Sequence, residues 1–484
     1  MRTVSAAAIN HSNITALFST KVSPKTEIYF PTDPDYANVT TQRWSVYEQP
    51  SYVASIKPAS ESDVQAIVIV LKVRVASANG IPFLATGGGH GLSVTLHELQ
   101  NGIEIDLSAF KNVTVDPEAN TITVGGANVF GDVVEPLWNA KRESPTGSCA
   151  CVGFVGGGGG GGVGRLEGLH GLVVDNMLSF TVVTATGDLV TASATENPDL
   201  FWAMRGATPN FGIVLWATYR IFPLTNNGNV LNADFVFPAS ANKSHFEILK
   251  TFEKNQPAAL SFMTDVRYTE EYNGTNILFN AVYYGPEEEG IKLLQPFIDN
   301  GPITKNITMT TWNKIIDTSL YGLFGDAQCV KGKHINSYTV DIKTMDIPTF
   351  EAHFSNISRM FENYPDTRAS TWFIEGLPLQ AARQANSSAT SFPPEHRQST
   401  NLLLWGYNYD NNDIDEEINE FAKNARSEFA KTSGLTELEV YVSYGHGDEG
   451  PKAWYGSSLK RLQQLKRKWD PKNVFHFMNP IVAA

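Results

Sequence analysis

Apolar and polar positions divide the first third of the chain into alternating helices and strands. Ser60-Glu61-Ser62-Asp63 supplies capping residues ahead of an apolar stretch from Val64 to Ala78, and Asn79-Gly80 ends it, which predicts a helix. Ile81 to Thr86 reads as a strand running into Gly87-Gly88-Gly89. Gly102 to Leu107 and Asn120 to Val124 alternate like half-buried strands, Asn128 to Lys141 has a helical period, and Leu178 to Ala185 with Leu189 to Ala192 predicts a hairpin around Thr186-Gly187-Asp188.

The texture changes at Pro223-Leu224-Thr225-Asn226-Asn227-Gly228-Asn229, a loop-like composition that marks a domain boundary. Beyond it, strand-like segments at Asn276–Tyr284, His334–Val340, Thr371–Glu375 and Leu402–Tyr409 alternate with helices such as Asp415–Phe429. The pattern is α+β, built on a largely antiparallel sheet. The last fifty residues hold a Tyr-rich strand at Tyr441–Tyr444 and a basic helix from Trp454 to Lys468, stopped by Asp470-Pro471. The expected organisation is therefore residues 1–224, 225–434 and a C-terminal segment 435–484.

Composition narrows the function classes. With 484 residues, 42% hydrophobic and 18% charged, the chain suits two domains with substantial cores. A net charge of −13 without a long basic run argues against nucleic acid or an anionic membrane as partner, and no apolar run approaches a membrane span of ~20 residues. Three cysteines cannot make a disulfide scaffold. Nine Asn-x-Ser/Thr sequons, at Asn10, Asn13, Asn38, Asn112, Asn242, Asn273, Asn306, Asn356 and Asn386, point to a secretory history, although residues 1–20 show no sustained apolar segment of a signal peptide.

Two glycine-rich segments carry the candidate chemistry. Thr86-Gly87-Gly88-Gly89-His90-Gly91 follows a strand directly, and Gly147-Ser148-Cys149-Ala150-Cys151-Val152-Gly153-Phe154-Val155 leads into seven glycines at 156–162, then Val163-Gly164-Arg165. Glycine costs up to ~1 kcal/mol of ordering entropy per residue against alanine, so such a run needs a reason. A flexible linker would recruit Ser and polar neighbours, whereas Val152, Phe154, Val155 and Val163 flank this one. The alternative is backbone that must approach a phosphate or a flat ring closely. A Walker loop is excluded, since Arg165-Leu166 follows Gly164, and a dinucleotide fingerprint with Asp175 or Asp188 as acidic partner is matched only trivially.

Three sets of residues together resemble one family. They are Gly87-Gly88-Gly89-His90-Gly91 with Pro145-Thr146-Gly147-Ser148-Cys149 and Gly168-Leu169-His170-Gly171-Leu172-Val173-Val174-Asp175; Leu200 to Gly206 with Asn210-Phe211-Gly212-Ile213-Val214; and Tyr441-Val442-Ser443-Tyr444, Trp454-Tyr455-Gly456 and Trp469 to Phe475. The chain resembles the fungal branch of the berberine-bridge-enzyme-like flavin oxidases, within the vanillyl-alcohol-oxidase and p-cresol-methylhydroxylase flavoprotein fold. The resemblance implies FAD between an N-terminal domain completed by the C-terminal segment and a central antiparallel-sheet substrate domain. It implies flavin attachment at the 8α-methyl through His90 and at C6 through Cys149, and oxygen access beside Val152. Further cofactor contacts are implied at Gly87, Gly88, Gly89, Gly91, Gly153, Gly162, Gly164, Gly171, Asp175, Gly212 and Val214. No metal site is expected: Cys149-Ala150-Cys151 is a conceivable fragment of one, but no further His/Cys cluster completes four ligands. Cys149 could instead pair with Cys151 or Cys329, and Cys151 is left unassigned.

The resemblance also implies an oxidase passing substrate hydrogen to flavin N5, with O2 as second substrate and hydrogen peroxide as product. The base must be a Tyr or carboxylate. Tyr441 and Tyr444 are the candidates, with Ser443 in place of the family's asparagine; strand alternation would set Tyr441 and Ser443 on one face and Tyr444 on the other. Aligning from Phe392-Pro393 and His396-Arg397 places Trp405 where some relatives carry an assisting Glu or Gln, so this chain would lack that carboxylate. Gly157 replaces the histidine of plant members. The expected substrate is an alcohol or related centre of a small secondary metabolite. An oligosaccharide lactol, or a cyclisation without net oxidation, are the alternatives.

Overall fold

The structure is a computed structural model in which residues 11–75, 81–325, 328–410 and 412–483 are described. The helix expected at 64–78 spans Glu61–Val75, and the end of that expectation, residues 76–80, lies outside the described residues. Its polar start is fastened by Asp63, which accepts from the Ser60 hydroxyl (2.7 Å) and the Ser23 backbone N–H (2.6 Å).

Two sheets build the N-terminal part. The first has four strands in the order Glu27–Tyr29, Tyr52–Lys57, Gly102–Asp106, Phe83–Thr86, the last three parallel to one another. The second has five antiparallel strands, ordered Val113–Asp116, Thr121–Gly125, Ile213–Arg220, Met177–Val183, Leu189–Ser193. The expected hairpin is the outer pair of that sheet. Apolar residues of both sheets and of helix Glu61–Val75 share one core, including Ile67, Ile103, Leu215 and Phe475.

A seven-stranded antiparallel sheet dominates the middle of the chain. Its order is Thr304–Thr311, Asn229–Pro238, Gly274–Tyr283, Leu260–Thr269, Thr371–Gly376, Asn401–Asn408, Ile335–Ile342. On one face Trp372 and Trp405 pack against Phe246, Phe350 and Phe429 of the covering helices Asn242–Phe252, Ile347–Asn363 and Asp415–Thr432. The opposite face presents Val236, Met263, Leu278 and Phe373 toward Leu320 and Phe324. Period-2 alternation thus separates a helix-covered face from a face turned to the glycine segments.

The end of the chain returns to the N-terminal part. Helix Leu459–Trp469 buries Lys466, whose ammonium donates to the Asn210 carbonyl (2.7 Å), the Phe475 carbonyl (2.5 Å) and the Asp470 carboxylate (2.7 Å). The single basic helix expected from Trp454 is two, Pro451–Tyr455 and Leu459–Trp469, parted at Gly456, whose φ of +45° breaks the first.

Candidate active site

Strand Phe83–Thr86 delivers Gly87-Gly88-Gly89-His90 onto the second glycine segment. A Cβ on Gly88 would sit 2.9 Å from the Gly153 backbone, so glycine is required where the two segments touch. The His90 ring stacks on Trp44, centroids 4.3 Å apart, and its buried Nε2 has no hydrogen-bond partner among the described residues. Burial, reinforced by the nearby charges of Arg43 and Lys331, pushes His90 down to about 3, so the imidazole is neutral and keeps a nucleophilic lone pair.

Cys149 is a free thiol, raised to about 11 by burial. Its sulfur lies 3.5 Å from that of Cys151, which is bonded to Cys329, 178 residues along the chain. The unassigned Cys151 is therefore a disulfide partner. Ligand atoms of His90, Cys149 and Cys151 fall within 4.8 Å of one another, but the disulfide occupies the Cys151 sulfur, which leaves an imidazole and one thiol.

The seven-glycine run is packed backbone. Phe154–Gly159 forms a short helix, and a Cβ on Gly160, Gly161 or Gly162 would lie within 2.6 Å of Ser443, Phe392 or Val173. Tyr441 ties the run down: its hydroxyl accepts from Gly162 N–H (2.8 Å) and donates to the Gly157 carbonyl (3.3 Å).

Tyr441–Tyr444 is a turn and not the expected strand. Tyr444 N–H donates to the Tyr441 carbonyl (2.9 Å), and the two rings meet edge-on at 4.9 Å, both lining one cavity. Alternation fails because the segment pairs with no strand. The missing carboxylate is also corrected. Trp405 lies on the helix-covered face, donating its indole N–H to His353, while Glu375 on strand Thr371–Gly376 accepts from the Tyr444 hydroxyl at 3.1 Å. Burial lifts Glu375 to about 7, opposed by the Tyr444 O–H and the Arg165 charge. Burial, with the Glu375 charge, holds Tyr444 far above its usual range, and burial moves Tyr441 to about 12.

These groups enclose a cavity of about 320 Å3. Its lining includes Gly87, Gly88, Gly89, His90, Gly91, Cys149, Val152, Gly153, Gly162, Gly212, Val214, Tyr441 and Tyr444 from the expected set. Three expected contacts lie elsewhere. Gly164 packs on the Thr146 carbonyl, Gly171 turns with φ +77° beside Asp175, and Asp175 forms a bidentate pair with Arg397 (2.8 and 2.7 Å). Asp175 is thus a structural anchor. Residues the sequence did not single out, Trp44, Phe324, Phe373, Glu375 and Leu404, complete the walls. Strand alternation marks Phe373 and Glu375 as sharing a face, but which face looks inward depends on pairing across the sheet.

The chain's own groups fit FAD. A neutral imidazole without a buried partner and a free thiol stand together, glycine backbone lines the wall beside them, and Phe324, Phe373 and Leu404 offer apolar surface for a flat ring.

Comparison with known proteins agrees with this geometry. A FAD binding domain model matches residues 53–193, and a berberine and berberine-like model matches residues 440–482, the segment that carries Tyr441 and Tyr444. The FAD-linked oxidoreductase azaL of Aspergillus niger is 40% identical over 96% of this chain and 98% of its own. Among solved structures, Physcomitrella patens BBE-like 1 superposes with a TM-score of 0.84 at 22% identity, covering 97% of this chain and 99% of that one. A glucooligosaccharide oxidase from Acremonium strictum, described with a 6-S-cysteinyl, 8α-N1-histidyl FAD, superposes with a TM-score of 0.81 at 21% identity, covering 97% and 99%. The two-part α+β fold, the cavity between its glycine segments and the central sheet, and identity sustained over nearly the whole length lead to one conclusion: this chain belongs to the fungal berberine-bridge-enzyme-like family of FAD-linked oxidoreductases.

Proposed function

We propose that the protein is an oxidase of the carbinol centre of a small, largely apolar metabolite, with FAD attached through His90 and Cys149 and O2 as the second substrate. The observation that carries this reading is the Tyr444–Glu375 pair, which faces the same cavity as the imidazole and the thiol. When bound, FAD supplies the two-electron acceptor that returns those electrons to O2 as hydrogen peroxide. His90 and Cys149, with reactive atoms within 4.8 Å, would grip one edge of the ring system. Tyr444 takes the substrate's hydroxyl proton as it passes its own phenolic proton to Glu375, so the tyrosine stays neutral and Glu375 is the base, since neither tyrosine ionises near neutrality. Tyr441, fixed by Gly157 and Gly162, orients the substrate beside it. Phe324, Phe373 and Leu404 exclude water and favour an apolar skeleton over a saccharide.

Acid denaturation followed by peptide mass analysis tests the attachment: flavin mass retained on the peptides of both His90 and Cys149 is expected, and colour lost to the supernatant overturns it. A peroxide-coupled screen of aromatic and terpenoid alcohols beside cello-, xylo- and chito-oligosaccharides tests the substrate class. Turnover of oligosaccharides alone overturns the apolar reading, and product without peroxide selects the cyclase. We also place the protein in the secretory pathway. Of the nine sequon asparagines, Asn10 lies outside the described residues, Asn242 is partly buried and the other seven are exposed. A mass loss on glycosidase treatment of the native-host protein is expected.

A further inference from the structure

Beside Tyr441 lies a second, small cavity of about 20 Å3, lined among others by Glu375, Tyr441, Asp341, His396, Glu167 and Arg397. Strand pairing fixes its geometry. Leu402 is the register partner of Glu375 on one side and of Asp341 on the other, so the two carboxylates share a face with one strand between them. At ~4.8 Å per strand their backbones stand about 10 Å apart, too far for a direct hydrogen bond. Asp341 Oδ1 accepts from Tyr441 N–H at 3.0 Å, whereas Oδ2 has no partner among the described residues. His396, 5% exposed, brings Nδ1 to 3.8 Å from that oxygen, and neither of its ring nitrogens is hydrogen-bonded among the described residues. The volume suits a single water, and unpaired donors and acceptors surround it.

We propose that this cavity holds the water that carries the substrate's hydroxyl proton from Glu375 to Asp341, beside His396, and returns it. The inference rests on Glu375 being the base. Oxidation of a carbinol by O2 gives the carbonyl and H2O2 with no net proton change. The C–H hydrogen leaves with an electron pair and the O–H proton leaves alone, and both reach oxygen in the peroxide. The proton removed first is therefore needed later, and a buried store spares its exchange with solvent. Glu375 loses it across the water as one O–H bond breaks and another forms, the ionised Asp341 carboxylate holds it, and the reverse transfer delivers it; His396, pushed down to about 4 by burial, stays neutral beside Asp341 and orients the water. Asp341 and Glu167 are both pushed up to about 8 by burial, so Asp341 holds a proton more tightly than Glu375 and is open to receive one as pH rises toward and above that value. The other charged groups facing the cluster include Arg397 on the cavity wall, Arg165 beyond Glu375, Glu439 and Glu449 beyond Asp341, and Glu395 beside His396.

The test uses holoenzyme and needs no substrate. Infrared pH-difference spectra report protonated carboxyl groups, and loss of one component in Glu375→Gln assigns it. Asp341→Asn, which keeps the acceptor for Tyr441 N–H, and His396→Gln are each expected to move the Glu375 midpoint by about half a pH unit or more. Anaerobic photoreduction followed by mixing with O2 is expected to show reoxidation about tenfold slower in Asp341→Asn, with a changed solvent isotope effect. Midpoints and reoxidation rates unchanged in both variants overturn the relay alone. A Glu375 component that stays protonated at every pH up to about 9 offers no basic form and overturns the base assignment, and the relay with it.

Discussion

Glu375 joins a strand position to a chemical role, and its titration gives the sharpest residue-scale prediction. Burial raises it to about 7, and the ionised form is the one able to accept a proton, so kcat/KM should rise as pH passes upward through about 7. Glu375→Gln should abolish that acidic limb and lower kcat by a factor of about 10²–10⁴. A limb of unchanged position in the variant would assign it to another group. The tyrosines separate in the same assay: Tyr444→Phe should cost about 10² or more in kcat, because it breaks the path to Glu375, whereas Tyr441→Phe should cost about tenfold or less. The reverse ranking would make Tyr441 the proton acceptor. His90, Cys149 and the glycines about them were legible in the sequence, since a rare local composition announces them. Glu375 was not, because alternation shows that Phe373 and Glu375 share a face without showing which face meets the cavity. The ion pair of Asp175 was not legible either, because its partner, Arg397, lies 222 residues away.

At the scale of elements, the Cys151–Cys329 bond fastens the second glycine segment to the chain beyond Phe324, whose ring lines the cavity. Closing a loop of 178 residues in the unfolded chain makes such a bond worth about 2–5 kcal/mol. Cys329→Ser should lower stability by that order in equilibrium denaturation. It also frees the Cys151 thiol beside Cys149, 3.5 Å away, so oxidation would join the two and block the sulfur attachment proposed for the flavin. The double variant Cys151→Ser/Cys329→Ser should recover that attachment, and non-reducing peptide maps distinguish the cases. Full attachment in the single variant would show that the disulfide does not protect Cys149. The turn at Tyr441–Tyr444 shows why sequence misjudged this element. Tyrosine and valine favour strands because they fit pleated, half-buried surfaces, and here the same side chains fill a cavity from a turn.

Across the whole molecule, the site depends on contacts between distant parts of the chain, and Lys466 holds one of the main junctions. Its ammonium is fully buried on three acceptors, from Asn210, Asp470 and Phe475. Lys466→Met leaves the Asp470 carboxylate buried without its counter-charge and should destabilise the protein by about 3–5 kcal/mol, read by urea denaturation. A variant of unchanged stability would show that the junction is held elsewhere. The helix and strand alternation of both halves was readable from periodicity alone, while the order of the seven-stranded sheet was not, because only one of its pairings, Leu260–Thr269 with Gly274–Tyr283, is a local hairpin and the rest are long-range contacts that local pattern does not encode. The stack of Trp44 on His90 has an optical consequence. Indole emission overlaps flavin absorption, so an indole in van der Waals contact with the attachment residue goes dark when the cavity is filled. Trp44→Phe should then remove the part of the emission difference between empty and loaded protein that comes from this contact, which makes the side chain a local gauge of cofactor occupancy.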